Sequence, residues 1–482
     1  METVKRLIAR FGKWEYAGVL MLVLVTLVMH FSIIMAPDEP LFDEQHYIPD
    51  VRLIIDGEGT ERPEHPPLGK LFIVAGIKLF GDNPFGWRFF SVLSGTMCII
   101  FFYLICRRLT LPKRISFFAT FLIAFENLSF VQASIAMLDV YSLVFALAAF
   151  WLYLRGNYVM SGVAVALSAL AKLNGALVLP VIGLHWFLTV GWIEGWYQLR
   201  FLLQFLTRRE HRWRFPLRFW IGSKRLWHFL LSMLSAPASF LGLMPLFDYA
   251  IWQKWLNPVA QVDNMLKLSR SLTNAQFPDA GSRPWEWLFT YPDVMEVMPY
   301  WWTPPYTGII SPTIWIFIIP VAIYIIYKAI KGNTPVLLPF SWFLGTYLIW
   351  IPLIFITDRV TYVFYFYHTV GAICIGLALV LFRLLDVVET RRTSKLKWSI
   401  RLGVPFYLLL HLIAFIIITP LPPLSIVWQE SPYIITTPES IWWSIPLYLL
   451  LYISTLRFLD LDKGLRPRQL NGSAMGQESL VD

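Results

Sequence analysis

Long apolar runs recur along the whole chain, separated by short polar stretches. They fall at roughly 16–35, 88–106, 115–131, 137–154, 158–171, 174–191, 229–250, 308–327, 335–356, 361–382, 402–420 and 441–456. A run of about 20 residues crosses the roughly 30 Å hydrocarbon core of a bilayer as a helix. An isolated strand would leave its backbone unpaired in lipid, so helices are the spanning element. The pattern predicts an all-α polytopic membrane protein of about 11–13 transmembrane helices. The runs 158–171 and 174–191 are short and share the polar junction Lys172-Leu173-Asn174-Gly175, where the count is most sensitive. The first run is too long and too poorly flanked for a cleaved signal peptide and is expected to remain as an anchor.

Composition strengthens this picture. Hydrophobic residues make up 57% of the 482 and charged residues 15%, with a mean hydropathy of +0.58. Soluble domains average about 45–50% apolar and 25% charged, so a water-soluble fold is excluded. The formal net charge of +9 follows from topology. Lys5 to Lys13, Arg107 to Arg114, Arg208 to Arg225, Lys328 and Lys331, Arg383 to Arg401 and Arg457 to Arg468 all fall on one side if the N-terminus is inside. That is the cytoplasmic excess of Lys and Arg expected of a membrane protein, and it places both termini in the cytoplasm. Nucleic-acid binding is not indicated. Arg208, Arg209, Arg212, Arg214 and Arg218 lie among Trp213, Phe215, Phe219 and Trp220, a pattern suited to an interfacial helix against anionic lipid. The three cysteines, Cys98, Cys106 and Cys374, fall in or at the ends of spans and form neither a disulfide framework nor a zinc site.

With this orientation two outward loops are long enough to build a site, 36–87 and 251–307, within a single transmembrane domain over 1–456; residues 457–482 read as a disordered cytoplasmic tail. The first loop is acidic and opens with Phe42-Asp43-Glu44-Gln45-His46-Tyr47 just past the first span. A carboxylate near the bilayer surface is partly desolvated, which raises its pKa and suits it to accept a proton. The plainer alternative is that Asp43 and Glu44 only start an extramembrane helix with favourable N-terminal charge. The loop ends in Glu64-His65-Pro66-Pro67-Leu68-Gly69-Lys70, followed by a stretch with Lys78 spaced as an amphipathic helix lying on the membrane. Asp139 sits at the outer end of a span, where an ionised side chain in hydrocarbon costs about 2.5–3.5 kcal/mol, so it needs a partner or a role. Arg88, Lys172 and Arg359 occupy outer ends that basic residues otherwise avoid in this chain. Either each snorkels to the interface, or together they meet an anion there, a lipid-linked phosphate being the obvious one.

Taken in order, Asp43-Glu44, His65-Pro66-Pro67-Leu68-Gly69-Lys70, Gly86-Trp87-Arg88 and Met137-Leu138-Asp139 resemble the protein O-mannosyltransferase family, within the polyprenyl-phosphate-dependent membrane glycosyltransferases of the GT-C type. Lys172-Leu173-Asn174-Gly175, Ser282-Arg283-Pro284-Trp285-Glu286-Trp287 and Arg359 with Phe364-Tyr365-Phe366-Tyr367-His368 continue the resemblance. One departure is Gln132-Ala133-Ser134, where many members carry Arg a few residues before the Leu-Asp pair. The second outer loop is also too short for the β-trefoil domain of eukaryotic members, so a prokaryotic plasma-membrane form is implied.

The resemblance implies a GT-C-type bundle that moves a hexose, mannose foremost, from a polyprenyl phosphate to a hydroxyl on the outer face. Protein Ser/Thr is the implied acceptor, with a lipid or cell-envelope glycan as the alternative. Asp43, with Glu44 as neighbour or substitute, would be the base. Arg88, Lys172, Lys70, His65 and Arg359 would hold the donor phosphate, with Asp139 and Asn174 in support. Trp285 and Trp287, with Trp301 and Trp302 beside them, would meet the acceptor or form an interfacial belt. No dedicated metal cage is legible, which leaves a divalent ion near Asp43 and Asp139 open, along with the oligomeric state. A transporter or flippase would carry ionisable groups near the midplane of several spans, whereas here they gather at the outer ends.

Overall fold

The computed structural model describes residues 16–191, 224–277, 281–289, 300–303, 306–390, 394–421 and 438–459. The basic stretch 208–220 and the tail beyond 459 lie outside the described residues, as do the side chains of Trp301 and Trp302.

Every expected span has a helical counterpart. The first is α1 (Ala17–Ile33), followed by two outer-loop helices, α2 (Glu44–Asp56) and α3 (Pro67–Phe80). The bundle continues with α4 (Pro84–Arg108), α5 (Lys113–Ala124), α6 (Asn127–Ser134), α7 (Leu138–Leu154), α8 (Tyr158–Ala171) and α9 (Val178–Trp186). Then come α10 (Lys224–Trp252), a second outer-loop helix α11 (Pro258–Ser271), and the strands β1 (Tyr300–Thr303) and β2 (Tyr306–Ile309). After a turn α12 (Pro312–Trp315), the chain ends in α13 (Ile318–Ile330), α14 (Thr334–Phe343), α15 (Trp350–Thr357), α16 (Tyr367–Thr390), α17 (Ser394–Ile418) and α18 (Pro438–Phe458). Among the described residues six helical segments are long and apolar enough to cross a membrane by themselves, and α5 and α6, bent by 59° at their junction, have together the length and apolarity of one broken span or a re-entrant loop.

The sequence dictates these boundaries locally. Asn83 accepts the Gly86 amide at 3.1 Å and Pro84 opens α4, while Arg107 and Arg108 close it against the negative end of the helix dipole. The bend between α5 and α6 centres on Glu126, whose carboxylate takes the Leu128 and Ser129 amides at 3.1 and 2.6 Å. The same carboxylate accepts the amide of Ser311 at 2.9 Å, tying the bend to the end of the β-hairpin. That hairpin, with Tyr300 opposite Ile309, takes residues expected at the start of the 308–327 span. The transmembrane part therefore begins later, at α12.

The core is the α4–α7–α8 layer, with α8 packed most extensively on α7 and α10. Along α7, Val140, Tyr141, Leu147 and Ala149 are fully buried. Lipid-facing positions show the opposite pattern: Ile319, Ile323, Tyr327 and Ile330 of α13 recur at helical spacing and are all exposed. The helix expected to lie on the membrane, α3, packs Ile73, Val74 and Ile77 into the bundle and leaves Lys78, Leu79 and Phe80 exposed.

Because each span reverses direction, α2, the α6–α7 junction, the α8–α9 junction, α11 and the segment between α15 and α16 all come to one end of the bundle. Those segments contribute the site.

Candidate active site

The Pro-Pro-Leu-Gly-Lys run is the start of α3. Pro66 is extended and Pro67 takes the first helical turn, where a missing N–H costs nothing. A Cβ at Gly69 would lie 2.6 Å from the Ala171 carbonyl and 2.9 Å from the Leu138 side chain. Glycine there lets α3 press on the end of α8, beside Lys172 and Asp139. Lys70, expected at the donor phosphate, is instead fully buried against Asp50 at 3.1 Å. Its ammonium also donates to Thr60 Oγ1 and the Arg62 carbonyl, each at 2.6 Å. Asp50 accepts in addition from Thr60 Oγ1 at 2.8 Å and from the amides of Glu61 and Arg62 at 2.7 and 3.2 Å. Burial pulls the Lys70 pKa down while Asp50 pushes back. This pair folds the 57–66 loop onto α2 and α3 and does not line the cavity described below.

Glu44 and Arg88 form a second closed pair. Arg88 Nε and Nη2 donate to the two Glu44 oxygens at 2.9 and 2.8 Å, and both residues are wholly buried. The rest of the guanidinium donates to the carbonyls of Ile34, Pro37 and Glu39, at 3.2, 2.8 and 3.2 Å. Glu44 also takes the amides of Leu41 and Ala136, at 2.9 and 2.6 Å. With those bonds made, neither side chain is open to a substrate. The clasp joins the end of α1, the start of α4 and the α6–α7 junction, and it fixes the backbone next to Asp43.

Asp43 itself is differently placed. Phe42, at φ 50°, holds a backbone conformation uncommon for a bulky residue and turns the chain into α2. Asp43 is the N-cap of that helix, yet its carboxylate makes no capping bond. Among the described residues it accepts only the Tyr47 hydroxyl, at 3.3 Å. Asp43 and Glu44 do open α2, as the plainer reading of favourable N-terminal charge expects, but the Asp43 carboxylate is not spent on a capping bond there. Burial raises the Asp43 pKa first of all; Lys172 opposes this, Asp139 adds to it, and His46 and the Tyr47 hydroxyl oppose it. The Tyr47 ring meets His65 edge-on, with centroids 5.5 Å apart.

His65 leads into a cavity of about 310 Å³. Its polar side holds Glu64, His65, Lys172, Asn174, Arg359 and Thr361, and its apolar side Leu177, Leu266, Trp350, Leu353 and Ile354. Three residues expected at the donor, Lys172, His65 and Arg359, thus come together, with Asn174, expected in support, beside them. Lys172 is held at 2.6 Å by Asp139, which finds its partner there, and lies over the rings of Phe364 and Tyr365 at 5.1 and 5.5 Å. One Asp139 oxygen and the Asn174 side-chain oxygen have no hydrogen-bond partner among the described residues. At Gly175 a Cβ would run into the Ser168 backbone, so the Lys-Leu-Asn-Gly junction can fold back on α8 only with glycine. His65 is held neutral, its pKa well below 6.5, by burial and then by Lys172, Lys70, Arg359 and Arg62. Among the described residues no three His, Cys, Asp or Glu side chains gather as a metal-binding group.

Trp287, expected at the acceptor, is a core residue with no exposed surface: its indole donates to Ser282 Oγ at 2.9 Å and its ring packs on Tyr347 and Tyr365. Trp285 stacks on Phe355 beside Arg283. Sequence reasoning passed over Tyr47, Tyr365, Ser269 and Arg270, the last two lining the cavity from α11. Arg270 carried the same signal as Arg88, a basic residue on the side where basic residues are scarce.

The bundle has the fold of a membrane glycosyltransferase of the GT-C class. It superimposes on the Saccharomyces cerevisiae protein O-mannosyltransferase Pmt1–Pmt2 complex bound to the sugar donor with a TM-score of 0.61 at 12% identity, over 85% of this chain and 90% of that one. Residues 64–207, which carry His65, Arg88, Asp139, Lys172 and Asn174, match the family model for dolichyl-phosphate-mannose-protein mannosyltransferases. Of the motifs that carry the resemblance, those from His65 to Gly175 lie within this match, and Asp43-Glu44, 282–287 and 359–368 lie outside it. The chain is also 28% identical over 280 residues to a polyprenol-phosphate-mannose–protein mannosyltransferase of Mycobacterium tuberculosis, covering 53% of this chain and 52% of that protein. A Corynebacterium glutamicum protein of the same name is 30% identical over 192 residues, 37% of this chain and 36% of its own length. The chain thus spans about half or less of the length of these relatives.

Proposed function

We propose that this protein is an inverting glycosyltransferase that moves mannose from a polyprenyl-phosphate carrier to protein Ser/Thr hydroxyls on the outer face of a prokaryotic plasma membrane, with both termini cytoplasmic. The observation that carries the reading is one cavity with a cationic end and an apolar wall, whose Lys172 acts electrostatically on the uncapped Asp43 carboxylate, although Asp43 itself is not one of the lining residues. The names of the bacterial relatives point the same way.

In this reading Asp43 takes the proton of the acceptor hydroxyl as its oxygen attacks the anomeric carbon. The bond from that carbon to the phosphate oxygen breaks on the opposite face, hence inversion, and the electron pair stays on the phosphate. The leaving phosphate is an anion and needs no general acid. Lys172 and Arg359 stabilise the charge as it develops. His65 and Asn174 offer acceptors to sugar hydroxyls, and Leu177, Leu353 and Ile354 the apolar wall for the prenyl chain. Glu44–Arg88 and Lys70–Asp50 serve by positioning the loop.

The test is product analysis with the purified chain, labelled polyprenyl-phosphate mannose, and peptide, lipid and glycan acceptors. Mannosyl peptide formed by the wild type and lost in Asp43→Asn supports the proposal. Label found only in lipid or glycan would move the acceptor class, and wild-type turnover by Asp43→Asn would remove Asp43 as the base.

A further inference from the structure

The charged groups that line the cavity divide into matched and unmatched. Lys172 is answered by Asp139 at 2.6 Å, and Glu64 has the Arg62 guanidinium at 3.9 Å. Arg359 and Arg270 make no ion pair among the described residues, where the Arg359 guanidinium donates only to Ser269 Oγ, at 3.1 Å. Ser269 and Arg270 sit three and four positions after Leu266, so α11 presents Leu266, Ser269 and Arg270 on one face, and all three line the cavity. Two arginines without a carboxylate partner among the described residues, Arg270 exposed and Arg359 half-buried, therefore line one cavity with an apolar wall.

That surplus does not suit the loaded donor alone. A glycosyl polyprenyl phosphate is a phosphodiester with a single negative charge. When the sugar leaves, the electron pair of the broken carbon–oxygen bond remains on the phosphate and the acceptor's proton goes to Asp43. The spent carrier is then a phosphomonoester, whose second ionisation lies near about pH 6, so it approaches a dianion at neutral pH. We infer that Arg270 is a further phosphate-binding residue and that, with Arg359, it makes the site favour the spent polyprenyl phosphate over the loaded donor, so that the enzyme is restrained by its own lipid product. The same surplus favours the transition state, in which the second charge is forming. This inference rests on the donor chemistry proposed above.

The test compares the full chain in lipid nanodiscs as wild type, Arg270→Gln and Arg270→Lys, measuring donor KM and the inhibition constant of polyprenyl phosphate on either side of pH 6. Wild-type inhibition tightens as pH rises through that value. Arg270→Gln weakens inhibition about tenfold, the equivalent of one charge-assisted hydrogen bond, changes donor KM by less, and flattens the pH dependence; Arg270→Lys restores most of both. Equal losses in KM and inhibition, or no change in either, would overturn the inference. A second measurement separates it from the proposed reaction: thermal stabilisation of each variant by polyprenyl phosphate, by the mannosyl donor and by polyprenol. If the wild type turns over no donor but is stabilised most by polyprenyl phosphate, and Arg270→Gln removes that preference, the binding inference stands and the transfer reading falls. If polyprenyl phosphate stabilises no better than polyprenol, the inference falls.

Discussion

Arg88→Ala separates two roles that its position alone leaves tied. If the guanidinium met the donor phosphate, its loss would weaken donor use in a folded protein. In the structure it lies at zero exposure, bonded to both Glu44 oxygens and to three carbonyls. Removing it leaves the Glu44 carboxylate buried with only the Leu41 and Ala136 amides as donors, and three carbonyls without theirs. Breaking a buried pair from one side costs about 3–5 kcal/mol, because an uncompensated charge is left behind. Arg88→Ala should therefore lower the unfolding midpoint in detergent and the yield of folded protein. Glu44→Gln combined with Arg88→Met should recover much of the loss, since no lone charge remains, and a double-mutant cycle of the pair should show strong coupling. A stable Arg88→Ala variant with selectively weakened donor binding would refute this reasoning and return Arg88 to the phosphate.

Asp50→Asn should destabilise the protein, because Asp50 answers Lys70 and takes two loop amides, while the same change at the exposed Asp56 should be silent in melting and activity assays. The acid limb of kcat/KM should lie above the ordinary Asp range near about 4, because the base must be ionised and burial raises the Asp43 pKa; activity is then lost as pH falls through that raised value. Asp139→Asn should move this limb to lower pH and Lys172→Met to higher pH, the directions in which each neighbour's charge acts on Asp43; an unmoved limb in both would detach it from Asp43. A cysteine at Asp56 should react with an impermeant thiol reagent in intact cells and one at Lys331 should not, and the reverse labelling would invert the topology.

The helices were legible because span length and apolarity are properties of consecutive residues, and even the short pair at 158–171 and 174–191 divides at Lys172 as the polar junction implies. Charges at the outer ends were legible as unusual, and the demand that Asp139 have a partner is met by Lys172. Which charges close on one another was not legible. Glu44 and Arg88 stand 44 positions apart, and their pairing depends on how the loop after α1 crosses the start of α4. Lys70 and Asp50 meet only because α3 folds back beside α2. The pattern likewise marked Trp287 as an aromatic in an outer loop without showing that Tyr347 and Tyr365 would enclose it.

Those closed pairs explain why Asp43 is left uncommitted. A buried ion pair contributes little net stability, since desolvation offsets most of its attraction, but it imposes geometry strictly because any departure strands a charge. Glu44–Arg88 fixes the residue that follows Asp43, and Asp50–Lys70 fixes the next turns of α2 together with the loop that carries His65. Between two such constraints the Asp43 carboxylate needs no ion pair to hold its position, and its single hydrogen bond among the described residues, from the Tyr47 hydroxyl at 3.3 Å, leaves one oxygen for the acceptor in the reading proposed above. The same logic runs through the cavity. Lys172 is tied to Asp139 and cannot swing away, while Arg359 and Arg270 carry no counter-ion among the described residues. Under the reading proposed above, Arg359 and Arg270 are where an external anion would complete the site, with Lys172 held in place beside them by Asp139.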